Sequence, residues 1–167
     1  MSEKEEHYFI RYLKSLVEKD DRAALAALRR GLGKPPGTEP EMYRYIVPLL
    51  PENPPPWQEK AFYLIASLFA SHPVSAAKGN LGNHLAQARG ENNADALERR
   101  FTALLSAHPD DLPNYLRQTI SLLKSKDVPV NWDQLLNDVM WWNDNTRKRW
   151  ATSFWGYRAA SEEETNP

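Results

Sequence analysis

The stretch from Trp57 to His72, WQEKAFYLIASLFASH, carries Ala61, Phe62, Leu64, Ile65, Leu68 and Phe69 and is apolar nearly all round when wound as a helix. Such a helix satisfies its own backbone but hides its side chains only if other elements cover it on several sides. It is shorter than a membrane span, so the cover must come from the rest of the chain, and this segment is expected to be the central core element. Pro48, Pro51 and Pro54 to Pro56 hold the chain extended just before it.

The flanking sequence reads as the covering helices. Ser2 and Glu5 suggest a capping box for a first helix with Phe9, Tyr12, Leu13, Leu16 and Val17 on one face. A second, from about Asp21, places Leu25, Leu28 and Leu32 together and stops between Gly31 and Gly37, where KPPG forces a turn. Pro40 starts a short helix bearing Met42, Tyr43 and Ile46. A Gly- and Asn-rich zone from Lys78 to Asn93, with one short helix, reads as a joint, and helices follow at about Ala94 to Ala107 and Leu112 to Lys124. No strand pattern and no repeat interrupts this series. The expectation is an all-α, compact fold of eight to nine helices. It forms one domain over residues 1–160, with halves of about 1–90 and 91–160, followed by an acidic, disordered tail at 161–167.

Five of the six tryptophans lie in VNWDQLLNDVMWWNDNTRKRWATSFW, together with Arg147, Lys148 and Arg149. Asn131 is placed to cap a helix whose stripe is Trp132, Leu135, Leu136, Val139, Met140 and Trp142. Trp141 falls nearly opposite Trp132, because successive residues turn by about 100°. Asn143, Asp144 and Thr146 offer turn and cap chemistry before a last helix with Trp150, Ala151, Phe154, Trp155 and Tyr157 on one face. Three cations in a first helical turn oppose the helix dipole by about 0.3–1 kcal/mol each. Two accounts remain open: a bound phosphate compensates them, or Asp144 and water neutralise them while the tryptophans serve as ordinary core.

Composition excludes several functions. The chain has no cysteine, hence no disulfide, thiolate nucleophile or cysteine-ligated metal. His7, His72, His84 and His108 are scattered away from metal-ligand spacing and read as surface or capping residues. No glycine pattern matches a phosphate loop, and Asp20-Asp21 and Asp110-Asp111 stand where caps are wanted. No enzyme, metal or cofactor is expected. The acidic start MSEKEEHYF is unlike a signal peptide and no membrane-spanning run exists, so cytoplasmic residence is the expectation. The formal charge of −1 argues against a generic nucleic-acid binder, yet residues 8–161 hold 20 Lys and Arg against 16 Asp and Glu, a balance of +4. That balance permits a local basic track.

Arg29 and Arg30 close the second helix, where dipole compensation is a sufficient reason for them. Arg30 nevertheless points away from the leucine stripe. Arg99 points opposite Leu97 and Leu104, with Asp95 four residues earlier as an alternative partner. Arg100 borders the apolar stripe, and Arg117 projects to the side of Leu112, Leu116 and Leu123.

ALRRGL (27–32), PENPPPWQEKAFYLIASLFASHP (51–73), LGNHLA (81–86), ERRFTALL (98–105), YLRQTISLL (115–123) and the final tryptophan run, in this order along the chain, resemble the CasB family. That family is the small subunit of Cascade, the type I-E CRISPR surveillance complex. The likeness covers roughly residues 8–157. It implies a curved, all-helical, non-catalytic subunit present in two copies beside the other Cascade subunits. There it touches CRISPR RNA and target DNA and stabilises the displaced single strand of the R-loop. On this resemblance Arg29, Arg30, Arg99, Arg100, Arg117, Arg147, Lys148 and Arg149 become the candidate nucleic-acid contacts. The sequence departs from the family at Asn83, Asp144 and Asn145, where basic residues are common, and at Lys78, which is alone in a loop that can be lysine-rich. Weak affinity for free nucleic acid is the expectation. The competing reading is a helical adaptor that binds only protein, with Trp141 and Trp155 as interface anchors and the arginines solvated.

Overall fold

The computed structural model describes residues 5–165, with side chains described through Gly156. Ser2, the acidic tail's side chains and the Tyr157 ring lie outside the described residues. Among the described residues there are nine α-helices and two short 3-10 turns. Among the described residues, β-pairing is limited to a single parallel bridge between Ser75 and Val130. The fold is all-α, and it divides into two compact units, 1–73 and 74–167.

The first unit holds α1 (Tyr8–Glu18), α2 (Arg22–Arg29), α3 (Tyr43–Ile46) and α4 (Pro56–Ser71). Every residue of α4 from Ala61 to Ala70 is buried, as its all-round apolar pattern demands. The Phe9 ring of α1 stacks on Phe62 at 4.3 Å. Helix α1 starts later than the expected capping box: His7 is the N-cap, its Nδ1 accepting from the Phe9 N–H at 3.1 Å, and Glu5 instead pairs with Arg11 at 3.1 Å. Ile10 joins the buried face while Val17 is 40% exposed. Asp21 caps α2 by accepting from Ala24 N–H at 3.0 Å, but Asp20 takes a left-handed conformation (φ 54°) in the tight turn rather than capping. The buried face of α2 is Ala24, Ala27 and Leu28, and Leu25 and Leu32 are only half-buried. Small side chains let α2 lie close against α4, which turns the leucine stripe partly aside.

The second unit holds α5 (Leu81–Ala88), α6 (Ala94–Leu105), α7 (Leu112–Ser125), α8 (Trp132–Met140) and α9 (Asp144–Thr165). Its most extensive helix pair is α5 against α9. The Gly- and Asn-rich zone read as a joint is therefore packed inside this unit. Gly82 makes the closeness possible, since a Cβ there would run into the Trp150 carbonyl oxygen. Asn80 and Asn83 cap α5 reciprocally, with N–H···Oδ1 distances of 2.9 and 3.3 Å, and the Asn80 amide also donates to Ser153 Oγ at 2.8 Å on α9.

Candidate nucleic-acid interface

Helices α6 and α7 are neighbours, and each buries an apolar face: Leu97, Phe101 and Leu104 on α6, and Leu112, Leu116, Ile120 and Leu123 on α7. These apolar positions recur at helical spacing, so the residues between them are driven outward. Arg99 and Arg100 on α6 and Arg117 on α7 are all exposed, and among the described residues none of the three forms an ion pair. Asp95 does not hold Arg99. Two adjoining grooves run along this face. Arg99 and Arg100 line the first with Tyr115, and Arg100 and Arg117 line the second with Asn114 and Ser121; Arg100, Gln118 and Leu122 belong to both. No carboxylate lines either groove. Helix α7 contains no acidic residue in its 14-residue length. That absence is legible in the sequence and points to an anion-tolerant face.

In the first unit, Arg29 and Arg30 end α2 and are exposed. Arg29 Nη1 reaches the Ala70 carbonyl oxygen near the end of α4 at 3.5 Å, a weak contact that leaves most of its donors available. Arg30 pairs with Glu41 at 2.7 Å, with both side chains more than half exposed, a geometry worth little in water.

The basic triplet follows a different rule. Asn143 Oδ1 accepts from Thr146 N–H at 3.1 Å, so α9 begins at Asp144, and the triplet falls at the end of its first turn and in the next. Carboxylates compensate two of the three cations. Arg147 pairs with Asp144 at 2.9 Å and lies over the Trp142 ring at 5.3 Å, and Arg149 approaches Asp138 at 3.7 Å and donates to Thr146 Oγ1 at 3.2 Å. Lys148 is exposed and, among the described residues, pairs with no carboxylate. Asp144, one of the departures from the family pattern, thus has a local partner.

Asp138 is absent from the sequence reading of the site. It is 1% exposed, accepting from Trp150 Nε1 at 2.8 Å and from Gln134 Nε2 at 2.9 Å, and it ties α8 to α9 beneath Arg149. A buried aspartate carries no periodic signature, because it interrupts the apolar stripe it serves. The stripe of α8 accordingly ends sooner than expected: Trp132, Leu135 and Leu136 are buried, whereas Val139, Met140 and Trp142 are half-buried. Trp142 lies beyond the helix end and packs on Trp150 at 4.9 Å. Trp141, at the C-cap, is 54% exposed, and Trp155 is 43% exposed with its ring 5.3 Å from Phe101.

The histidines also differ from expectation. His7 caps α1 and His108 Nδ1 accepts from Asp110 N–H at 3.1 Å, but His72 and His84 are buried. His84 Nε2 accepts from Asn131 N–H at 3.0 Å, at the cap of α8, and burial pushes its pKa down to about 4. Among the described residues no three His, Asp or Glu side chains gather as metal ligands, and no helix is long and apolar enough to cross a membrane.

The family model of the CRISPR-associated protein Cse2 matches residues 24–155. The chain belongs to the Cse2 family. The matched span includes all eight candidate basic residues and the two candidate interface tryptophans, Trp141 and Trp155. The chain is similar to CRISPR-associated protein Cse2 of Thermus thermophilus, with 33% identity over 164 residues, covering 93% of this chain and 92% of that one. It is also similar to CasB of M. ruber, at 34% identity and a TM-score of 0.74, with 94% of each chain covered. A chain in a CRISPR RNA-guided surveillance complex shares 26% identity and a TM-score of 0.70, over 95% of this chain and 98% of that one.

Proposed function

We propose that this chain is the small, non-catalytic subunit of a type I-E CRISPR RNA-guided surveillance complex. It sits beside the other Cascade subunits in two copies, holds backbone phosphates of CRISPR RNA and target DNA, and stabilises the displaced strand. Membership of the Cse2 family and likeness to a chain of a surveillance complex support the assembly. The observation that carries the nucleic-acid role is the face of α6 and α7, where Arg99, Arg100 and Arg117 line adjoining grooves without a carboxylate among them. Forked guanidinium groups grip phosphates bidentately and ignore base identity, which suits a strand whose sequence changes with each guide. Arg29, Arg30 and Lys148 extend the set of phosphate contacts. Arg147 and Arg149 contribute once their pairing with Asp144 and Asp138 is loosened or shared. Trp141 and Trp155 are assigned to contacts with protein subunits, since exposed tryptophans are the side chains interfaces most often use as anchors.

The test is salt dependence. With about five phosphates neutralised on single-stranded DNA, log K against log salt falls with a slope of about −3.5, a roughly hundredfold loss between 50 and 200 mM. Fluorescence anisotropy of a labelled oligonucleotide measures it. A flat salt response favours the protein-only adaptor.

A further inference from the structure

The groove between α6 and α7 changes character along its length, and the arginine-phosphate reading leaves its apolar floor without a part. The end at Arg117 is polar, with Asn114, Ser121 and Ser125. The other end has an apolar floor of Leu85, Leu97 and Phe101, all nearly inaccessible, and Tyr115 as its half-buried wall. Its volume of about 390 Å³ lies in the range of small-molecule pockets. Tyr115 is unusual among the rings of this unit. Among the described residues it pairs with no other ring, and its hydroxyl bonds to no protein group. A tyrosine offers a large apolar face and a polar tip, so a ring left unpaired in a groove is a ready surface for a second flat group. Arg99 and Arg100 stand at the lip of this apolar end, and Arg100 and Gln118 join it to the polar end.

A flat, apolar-faced group with polar edges, joined to anions on either side, matches that sequence of surfaces. A phosphate alone leaves the apolar end unfilled, and a stacked duplex keeps its bases out of reach.

We propose that this groove takes one unstacked nucleobase of a single-stranded nucleic acid. The base stacks against Tyr115 over the Leu97 and Phe101 floor, while Arg99, Arg100 and Arg117 hold the phosphates that flank it. The proposal rests on the phosphate-binding reading above and adds the base as a second, independent determinant. It makes the protein prefer single strands over duplex at equal charge. It asks no particular base, since every base offers a π-face. The Gln118 amide, shared by both ends, is placed to bond a base edge without selecting one pattern, because an amide both donates and accepts.

The experiment compares the full chain on labelled oligothymidylate and on an oligonucleotide of the same length whose central sites are abasic, so that phosphate number is constant. Anisotropy at several salt concentrations is read for the wild type, Tyr115→Ala and Tyr115→Phe, each checked for an unchanged melting temperature. The wild type is expected to bind oligothymidylate about tenfold more tightly than the abasic strand. Tyr115→Phe keeps that ratio, and Tyr115→Ala brings it near one with the salt slope unchanged. Equal wild-type binding to both strands with a steep salt slope overturns the base pocket and leaves the phosphate reading intact. A ratio that survives in folded Tyr115→Ala likewise overturns it. Absence of any salt-dependent binding overturns both.

Discussion

Asp138 divides its carboxylate between the Trp150 indole at 2.8 Å and the Gln134 amide at 2.9 Å, and its position beneath Arg149 makes it the hinge of the tryptophan-rich end. Truncating it leaves buried donors without an acceptor, which costs about 1–3 kcal/mol. Asp138→Ala is therefore expected to lower the melting temperature by roughly 2–12 °C, reading about 2–4 °C for each kcal/mol in a chain of this size. Asp138→Asn keeps one acceptor oxygen and is expected to lose less; circular dichroism melts of both variants make the comparison. His84 supplies a pH dependence of known sign. An unfolded histidine titrates near its model value of 6.5 and the folded one near 4, so between those values the unfolded chain binds the extra proton. Stability falls as pH drops from about 6.5 to about 4, with a slope of up to about 1.4 kcal/mol per pH unit from this group. Urea midpoints across that window should fall more steeply for the wild type than for His84→Gln, and parallel curves would remove His84 from the account.

At the scale of elements, the three tryptophans around the end of α8 separate by environment. Trp132 is 1% exposed within the helix, Trp142 is half-buried against Trp150, and Trp141 is 54% exposed. Trp132→Ala is expected to cost about 3–5 kcal/mol, Trp142→Ala about 1–3 and Trp141→Ala within about 0.5. Chemical denaturation ranks them, and a Trp141→Ala loss as large as that of Trp132→Ala would show that the exposed ring is structural. Sequence periodicity located α8 and its Asn131 cap, which accepts from Gln134 N–H at 3.2 Å. It overran the helix end because Trp141 and Trp142 continue the apolar run after the backbone has turned. Helix α5 teaches the opposite lesson. Its glycine and asparagines look like softness in a sequence, yet Gly82 sits too close to the Trp150 carbonyl of α9 to carry a Cβ, and Asn80 and Asn83 are the helix cap.

At the scale of the whole molecule, Arg99, Arg100 and Arg117 are individually ordinary, and the grooves they line together are what support the proposed role. Opening a DNA duplex and forming a guide hybrid nearly balance in RNA-guided recognition, so modest contacts to separated strands shift the equilibrium. In an assembled complex, alanine at Arg99, Arg100 and Arg117 is expected to shorten the life of the opened target while sparing guide binding. Permanganate reactivity of unpaired thymines reports the opening. Unchanged reactivity in a fully assembled mutant complex removes these three residues from that role.

The helical periodicity of the apolar residues, the proline breaks and the capping residues are local, so the sequence by itself determined the all-α class, the central place of the helix after Pro56 and most helix starts. It also turned Arg99 opposite the buried stripe and set Arg100 at the border of its stripe and Arg117 to the side, because these directions follow from helical spacing alone. Pairing between helices is not local. Arg147 meets Asp144 three residues back on its own helix, but that Arg149 meets Asp138 of α8 while Arg99 and Arg117 meet no carboxylate depends on which helices adjoin. Only the tertiary structure decided this, together with the burial of Asp138 and His84 and the groove beside Tyr115, since each arises where side chains distant in sequence converge.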